Sequence, residues 1–113
     1  MIKLPWPPRV LSPNDRSHWT KKSASRAKQR SDAALIAGKK PHDGNIHLMI
    51  TFCPPTKRAF DLDNALSSIK GALDGIADAW GVNDKCFRPV TIDFGPVEKG
   101  GAVYVETRRR LEG

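Results

Sequence analysis

The apolar residues of this chain change period part-way along, and that change limits the folds open to it. Between Asn45 and Cys53, Ile46, Leu48, Ile50 and Phe52 alternate with His47, Met49, Thr51 and Cys53, as in a strand with one core face. After Asn64, Leu66, Ile69, Leu73, Ile76 and Trp80 recur at steps of three and four, the period of an amphipathic helix that ends before Gly81. A chain carrying both patterns must pack a helix stripe against a sheet face. From Ser17 to about Ala37 there is neither Pro nor Gly, and Ala, Lys, Arg and Gln predominate. That composition predicts a second long helix, a basic one bearing Lys21, Lys22, Arg26, Lys28 and Arg30. Ile2 to Leu4, Val90 to Phe94 and Ala102 to Thr107 are expected as further strands, the last two forming a hairpin through Pro96 and Gly100-Gly101. The order β, α, β, α, β, β describes a small α/β (α+β) domain with a mixed β-sheet and two main helices.

At 113 residues the chain is one domain, 1–113, so any active site shares a scaffold with the binding surface. Residues 1–16 form a Pro-rich arm, and 108–113 are expected as a frayed tail. Nineteen Lys and Arg against twelve Asp and Glu give a formal charge of +7, which opposes acidic partners and suits a polyanion. Nucleic acid comes first, an anionic membrane surface second. No apolar run reaches the roughly 18 residues of a spanning helix, and Met1 to Val10, with three Pro, lacks a signal-peptide core. The expectation is a cytoplasmic protein away from the membrane. Cys53 and Cys86 have no Cys or His neighbour at ligand spacing, which excludes a zinc site and predicts reduced, buried thiols. His18, His42 and His47 also lack partners at ligand spacing and are expected to be structural or superficial.

Hydrolysis of a phosphodiester needs an activated water and neutralisation of the charge growing on phosphate, and a hard divalent cation held by carboxylates supplies both. Asp61 and Asp63 flank Leu62, so in an extended segment both carboxylates project to one side, just ahead of a helix. In a continuous helix Asp63, Lys70 and Asp74 fall within roughly 40° of one another, with Ser67 beside them. An ammonium is compact and suits phosphate, which makes Lys70 the candidate to bind the scissile group or steady the leaving oxygen. Gly81-Val82-Asn83-Asp84 forms a turn that brings Asp84 to this region only if the chain returns along the helix. Each feature has a plainer reading beside the catalytic one. Asp61 and Asp63 suit a helix cap, Lys70 with Asp74 an exposed i,i+4 pair, Asn83-Asp84 an ordinary turn, and the basic helix a solvated face.

In order along the chain, Arg58-x-x-Asp61-Leu62-Asp63-Asn64, Lys70, Asp74-Gly75-Ile76 and Gly81-Val82-Asn83-Asp84 resemble the RusA family of Holliday junction resolvases, particularly its prophage-type members. Pro7-Pro8, Ser12-Pro13-Asn14 and His18-Trp19 look like the opening segment of that family, so the resemblance runs from Leu4 to Tyr104. It implies a compact mixed-sheet domain working as a homodimer. The implied activity is Mg2+-dependent paired nicking of four-way junctions in DNA recombination and repair, with Mn2+ as a substitute metal and no small-molecule cofactor. Asp61, Asp63 and Asp84 correspond to the essential, metal-binding acids. The functional lysine of the best-known members lies about one helical turn nearer the Asp-x-Asp-Asn motif, and Lys70 is its counterpart here. Asp74 matches a further acidic position, supporting the metal ligands from behind or pairing with Lys70. Arg9, Arg16, Lys21, Lys22, Lys57 and Arg58 are candidates to follow the DNA backbone, reading charge and shape. Two other functions fit the same residues: a non-catalytic basic DNA-binding protein, and a nuclease for other branched nucleic acids or RNA.

Overall fold

The computed structural model describes residues 1–12, 15–57 and 61–109. Four strands, β1 (Ile2–Pro5), β2 (Ile46–Cys53), β3 (Phe87–Phe94) and β4 (Ala102–Arg109), form one sheet in the order β1-β4-β2-β3. β1 and β2 both run antiparallel to β4, and β3 runs parallel to β2, so the sheet is mixed. Three helices, α1 (Trp19–Ile36), α2 (Leu62–Ser68) and α3 (Lys70–Trp80), complete an α+β fold. The alternating residues of β2 dictate its layers: Ile46, Leu48, Ile50 and Phe52 are fully buried and join Val103 and Val105 of β4 against Ile69, Ala72, Ile76 and Trp80. Among the described residues, no helix is long and apolar enough to cross a membrane.

The hairpin expected between β3 and β4 does not form, because the two strands lie on either side of β2. β2 has the most apolar core face and takes a partner along both edges, while the connection crosses its C-terminal end. There the Gly95 N–H donates to the Phe52 carbonyl and the Glu98 N–H to the Pro54 carbonyl, each at 2.9 Å. Gly95 is required at that crossing, since a Cβ would come within 2.8 Å of the Cys53 sulfur. β4 also runs further than expected, with Arg108 opposite His47 and Arg109 opposite Ile46. The frayed tail expected from residue 108 therefore does not include these two, and Arg110 to Gly113 lie outside the described residues. Of the cysteines, Cys53 is a buried free thiol, but Cys86 is only half-buried.

The helix expected from Asn64 to Trp80 is interrupted at Ile69 (φ −113°, ψ 12°). Two local substitutions in the hydrogen-bond ladder account for it. The Ser68 hydroxyl donates to the Ala65 carbonyl at 2.6 Å, the acceptor the Ile69 N–H would use in a regular helix, and Ile69 donates to Leu66 instead. Three residues on, the bond from Ala72 N–H to Ser68 carbonyl is replaced by a side chain from α1. The Gln29 amide nitrogen donates to the Ser68 carbonyl at 2.9 Å, and its amide oxygen accepts from the Ala72 N–H at 3.1 Å. One carboxamide thus satisfies both backbone groups that the break exposes. Gly71 makes room for it, as a Cβ there would meet the Gln29 oxygen at 2.7 Å. Gly75 brings the two helices closer still, since its Cβ would stand 2.1 Å from the Arg30 carbonyl oxygen.

Candidate active site

α2 begins on the acidic motif. Asp61 is its N-cap residue in extended conformation (φ −73°, ψ 140°), and its carbonyl accepts from the Ala65 N–H at 2.9 Å. Its carboxylate makes no capping hydrogen bond. Asp63 is already in the first helical turn, so the extended Asp-x-Asp geometry expected from the sequence is replaced by one residue before the helix and one inside it. Both are exposed, and among the described residues neither carboxylate has a hydrogen-bond or ion-pair partner.

The chain does return along α3. Gly81 adopts a left-handed conformation (φ 63°, ψ 33°) at the helix end, and the Val82 N–H reaches back to the Ala77 carbonyl at 3.0 Å. Asn83 then caps a 3-10 turn at Asp84–Cys86, its side-chain oxygen accepting from the Lys85 N–H at 2.9 Å. The Asp84 carboxylate ends 3.7 Å from the Lys70 ammonium, with both side chains about half exposed. They stand in a groove of about 230 Å³ whose other walls are Leu66, Ser67, Leu73, Phe87 and Val90. Asp63 precedes Ser67 by one turn of α2 and extends this line of polar groups toward the start of the helix.

The expected pairing of Lys70 with Asp74 does not form. Asp74 lies toward α1, where it adds a minor share to the raised pKa of the Arg30 guanidinium, which hydrogen bonding to Asp78 dominates. The angular relation expected for Asp63, Lys70 and Asp74 also lapses, because the break at Ile69 separates the first from the other two. Asp61, Asp63 and Asp84 do not form a ready-made cage: among the described residues no three His, Cys, Asp or Glu side chains stand close enough to hold one ion.

The basic residues divide into two groups. On α1, Lys28 pairs with Asp32 at 2.7 Å, and Arg30 forms a two-point pair with Asp78, so both charges are partly offset within the protein. Lys21 is exposed, and Lys22 reaches the Ser12 carbonyl at 3.5 Å. Arg9, in a 3-10 turn at Arg9–Leu11, and Lys22 both bear on Asp15, whose carboxyl is held below its ordinary value chiefly by hydrogen bonds from Ser17. Arg16 is exposed just before α1 and Lys57 in the loop after β2, while Arg58 lies outside the described residues, as do Pro13 and Asn14 of the arm motif. His18 caps α1 by accepting from the Thr20 N–H, and His47 bonds the Thr91 hydroxyl at 2.7 Å, both structural roles.

Sequence reasoning missed Gln29 and Gly71. A glutamine inside a basic helix carries no signal of its own, but glycines four apart within an apolar helix pattern, Gly71 and Gly75, do mark a close backbone approach.

No family model matches the chain. A protein of Xylella fastidiosa (strain Temecula1), described only as uncharacterized, is 41% identical over 92% of this chain and 72% of its own length. The chain belongs to the family of that protein. Identity at this level over most of both chains means that its family shares this fold.

Proposed function

We propose that this protein is a divalent-metal-dependent endonuclease of the RusA type that resolves four-way DNA junctions by paired nicks, acting as a homodimer in the cytoplasm. The observation that carries the reading is the return of Asp84 to Lys70 across a groove walled by α2, the helix that opens on Asp61 and Asp63. Asp84 and Lys70, far apart in sequence and of the types phosphodiester hydrolysis needs, thus meet beside the C-terminal half of the helix whose start carries Asp61 and Asp63.

The donor set fits Mg2+, or Mn2+ in its place. Carboxylate oxygens are the ligands of hard cations, and Mg2+ commonly binds through one or two carboxylates, with water and substrate phosphate completing its shell. Asp61 and Asp63, exposed and without partners among the described residues, would hold the ion, and Asp84, which does not stand with them in this conformation, would join as a third ligand once phosphate displaces it from Lys70. When bound, the ion supplies charge neutralisation at phosphate and acidifies a water. Lys70 exchanges Asp84 for the incoming phosphate, and its compact charge faces the oxygens on which negative charge grows. Asp74, one turn along α3 from Lys70, adds negative charge on the side of Arg30 in α1. Arg9, Arg16, Lys21, Lys22, Lys57 and Arg58 hold the backbone of the arms. A two-fold dimer presents two such sites to the two strands a junction requires to be cut.

The test is cleavage of a labelled four-way junction beside a linear duplex of the same sequence, in Mg2+ and in EDTA. Paired, Mg2+-dependent nicks confined to the junction are expected. Asp61→Asn should keep junction binding but lower cleavage on the order of a thousandfold, about 4 kcal/mol of transition-state stabilisation. Tight binding by the wild type without cleavage in Mg2+ would make it a DNA-binding protein instead.

A further inference from the structure

On the other side of α2 from the Lys70 groove, a second groove of about 360 Å³ runs between the Pro-rich arm and the end of β2. Trp6, Pro8 and Pro55 give it apolar walls, Phe52 its floor, and Arg9 a cation. Trp6 is held edge-on against Phe52, with ring centroids 6.3 Å apart. Asn64, the residue after Asp63, also lines it. The Asn64 side chain is half-buried, and among the described residues its carboxamide has no hydrogen-bond partner. A partly desolvated amide without a partner, set among apolar walls, suits a ligand with a flat apolar body and a polar edge.

We infer that this groove takes one unstacked nucleobase of the bound DNA strand and that Asn64 reads its edge. The inference rests on the junction-nuclease reading and adds to it a sequence preference beside the site of cutting. Three observations select a base over other flat ligands. The aromatic and proline walls match the faces of a base, as in proteins that bind single strands by stacking. Arg9 supplies a cation for the phosphate that must accompany the base, in a chain of formal charge +7. The groove also adjoins the acidic motif along the backbone, because Asn64 follows Asp63 within one helical turn. A carboxamide offers one donor and one acceptor side by side, and presented with the N6/N7 edge of a base it finds two matching hydrogen bonds on adenine alone.

The experiment measures binding in EDTA, where no cut is possible. Four junctions are compared that differ only in one unpaired nucleotide, A, C, G or T, at the exchange point. The wild type should bind the adenine junction tightest, by about tenfold, the size of one two-point amide contact. Asn64→Ala and the isosteric Asn64→Asp should bring the four affinities together while leaving thermal unfolding unchanged, and Arg9→Ala should weaken all four alike. Equal wild-type affinities, or a preference that survives both Asn64 variants, would overturn the inference while leaving the nuclease reading intact. Failure to bind any junction would overturn both, whereas selective binding with no cleavage in Mg2+ would remove only the nuclease.

Discussion

Arg30 sits in the helix whose composition points to nucleic acid, yet its guanidinium, though exposed, is already paired with a carboxylate of the protein. Its Nη2 donates to Asp78 at 2.8 Å and its Nε to the other carboxylate oxygen, tying α1 to α3. These hydrogen bonds hold the Asp78 carboxyl below its ordinary value. A depressed folded-state pKa stabilises the protein above the unfolded value, and that contribution is lost as pH falls through the folded value. Urea unfolding at a series of pH values should therefore find Asp78→Asn less stable than wild type near neutrality, with the two curves meeting in acid. A gap that persists unchanged in acid would mean that packing rather than charge links these helices. Asp61, Asp63 and Asp84 show the same limit on reading single residues. Their candidacy came from residue type and spacing, but the ion pair of Asp84 with Lys70 rather than of Lys70 with Asp74 depends on how Gly81 turns the chain.

Among the elements, the interrupted helix teaches most. The apolar stripe of Leu66, Ile69, Leu73, Ile76 and Trp80 was read as one helix because its period continues through the break. Hydrophobic periodicity reports which face is buried and says nothing of the backbone bonds beneath it. Those bonds are rerouted by Gln29, distant in sequence, so Gln29→Met should leave two part-buried backbone groups without partners. A loss of about 2 kcal/mol in unfolding free energy is expected from two such bonds. A variant as stable as wild type would show that Ser68 and Gly71 suffice to hold the break. The strand order carries a similar lesson. The β3 and β4 segments were both recognisable, but Gly100-Gly101 suggested a tight hairpin, and the actual crossing rests on hydrogen bonds to the far end of β2.

At the scale of the whole molecule the formal charge of +7 is unevenly available. Part of the α1 charge is neutralised by Asp32 and Asp78, while Arg9 and Lys22 gather near the end of the arm and Arg16, Lys21 and Lys57 stay exposed. If four of these reach phosphates, the logarithm of junction affinity should fall against the logarithm of salt with a slope of about −3.6, from roughly −0.9 for each contact. Fluorescence anisotropy across a salt series measures it directly. A flat response would remove the basic surface as the binding face.

The α+β class, the net basic charge, the buried face of β2 and the candidacy of the acidic residues all came from the sequence, because period, charge and residue type are local properties that neighbours need not supply. Tertiary structure alone decided the placement of β3 beside β2, the break at Ile69, the pairing of Arg30 with Asp78, and the meeting of Asp84 with Lys70. Each depends on groups distant along the chain competing for the same hydrogen-bond or charge partner, and that competition is resolved only when the helices close over the sheet.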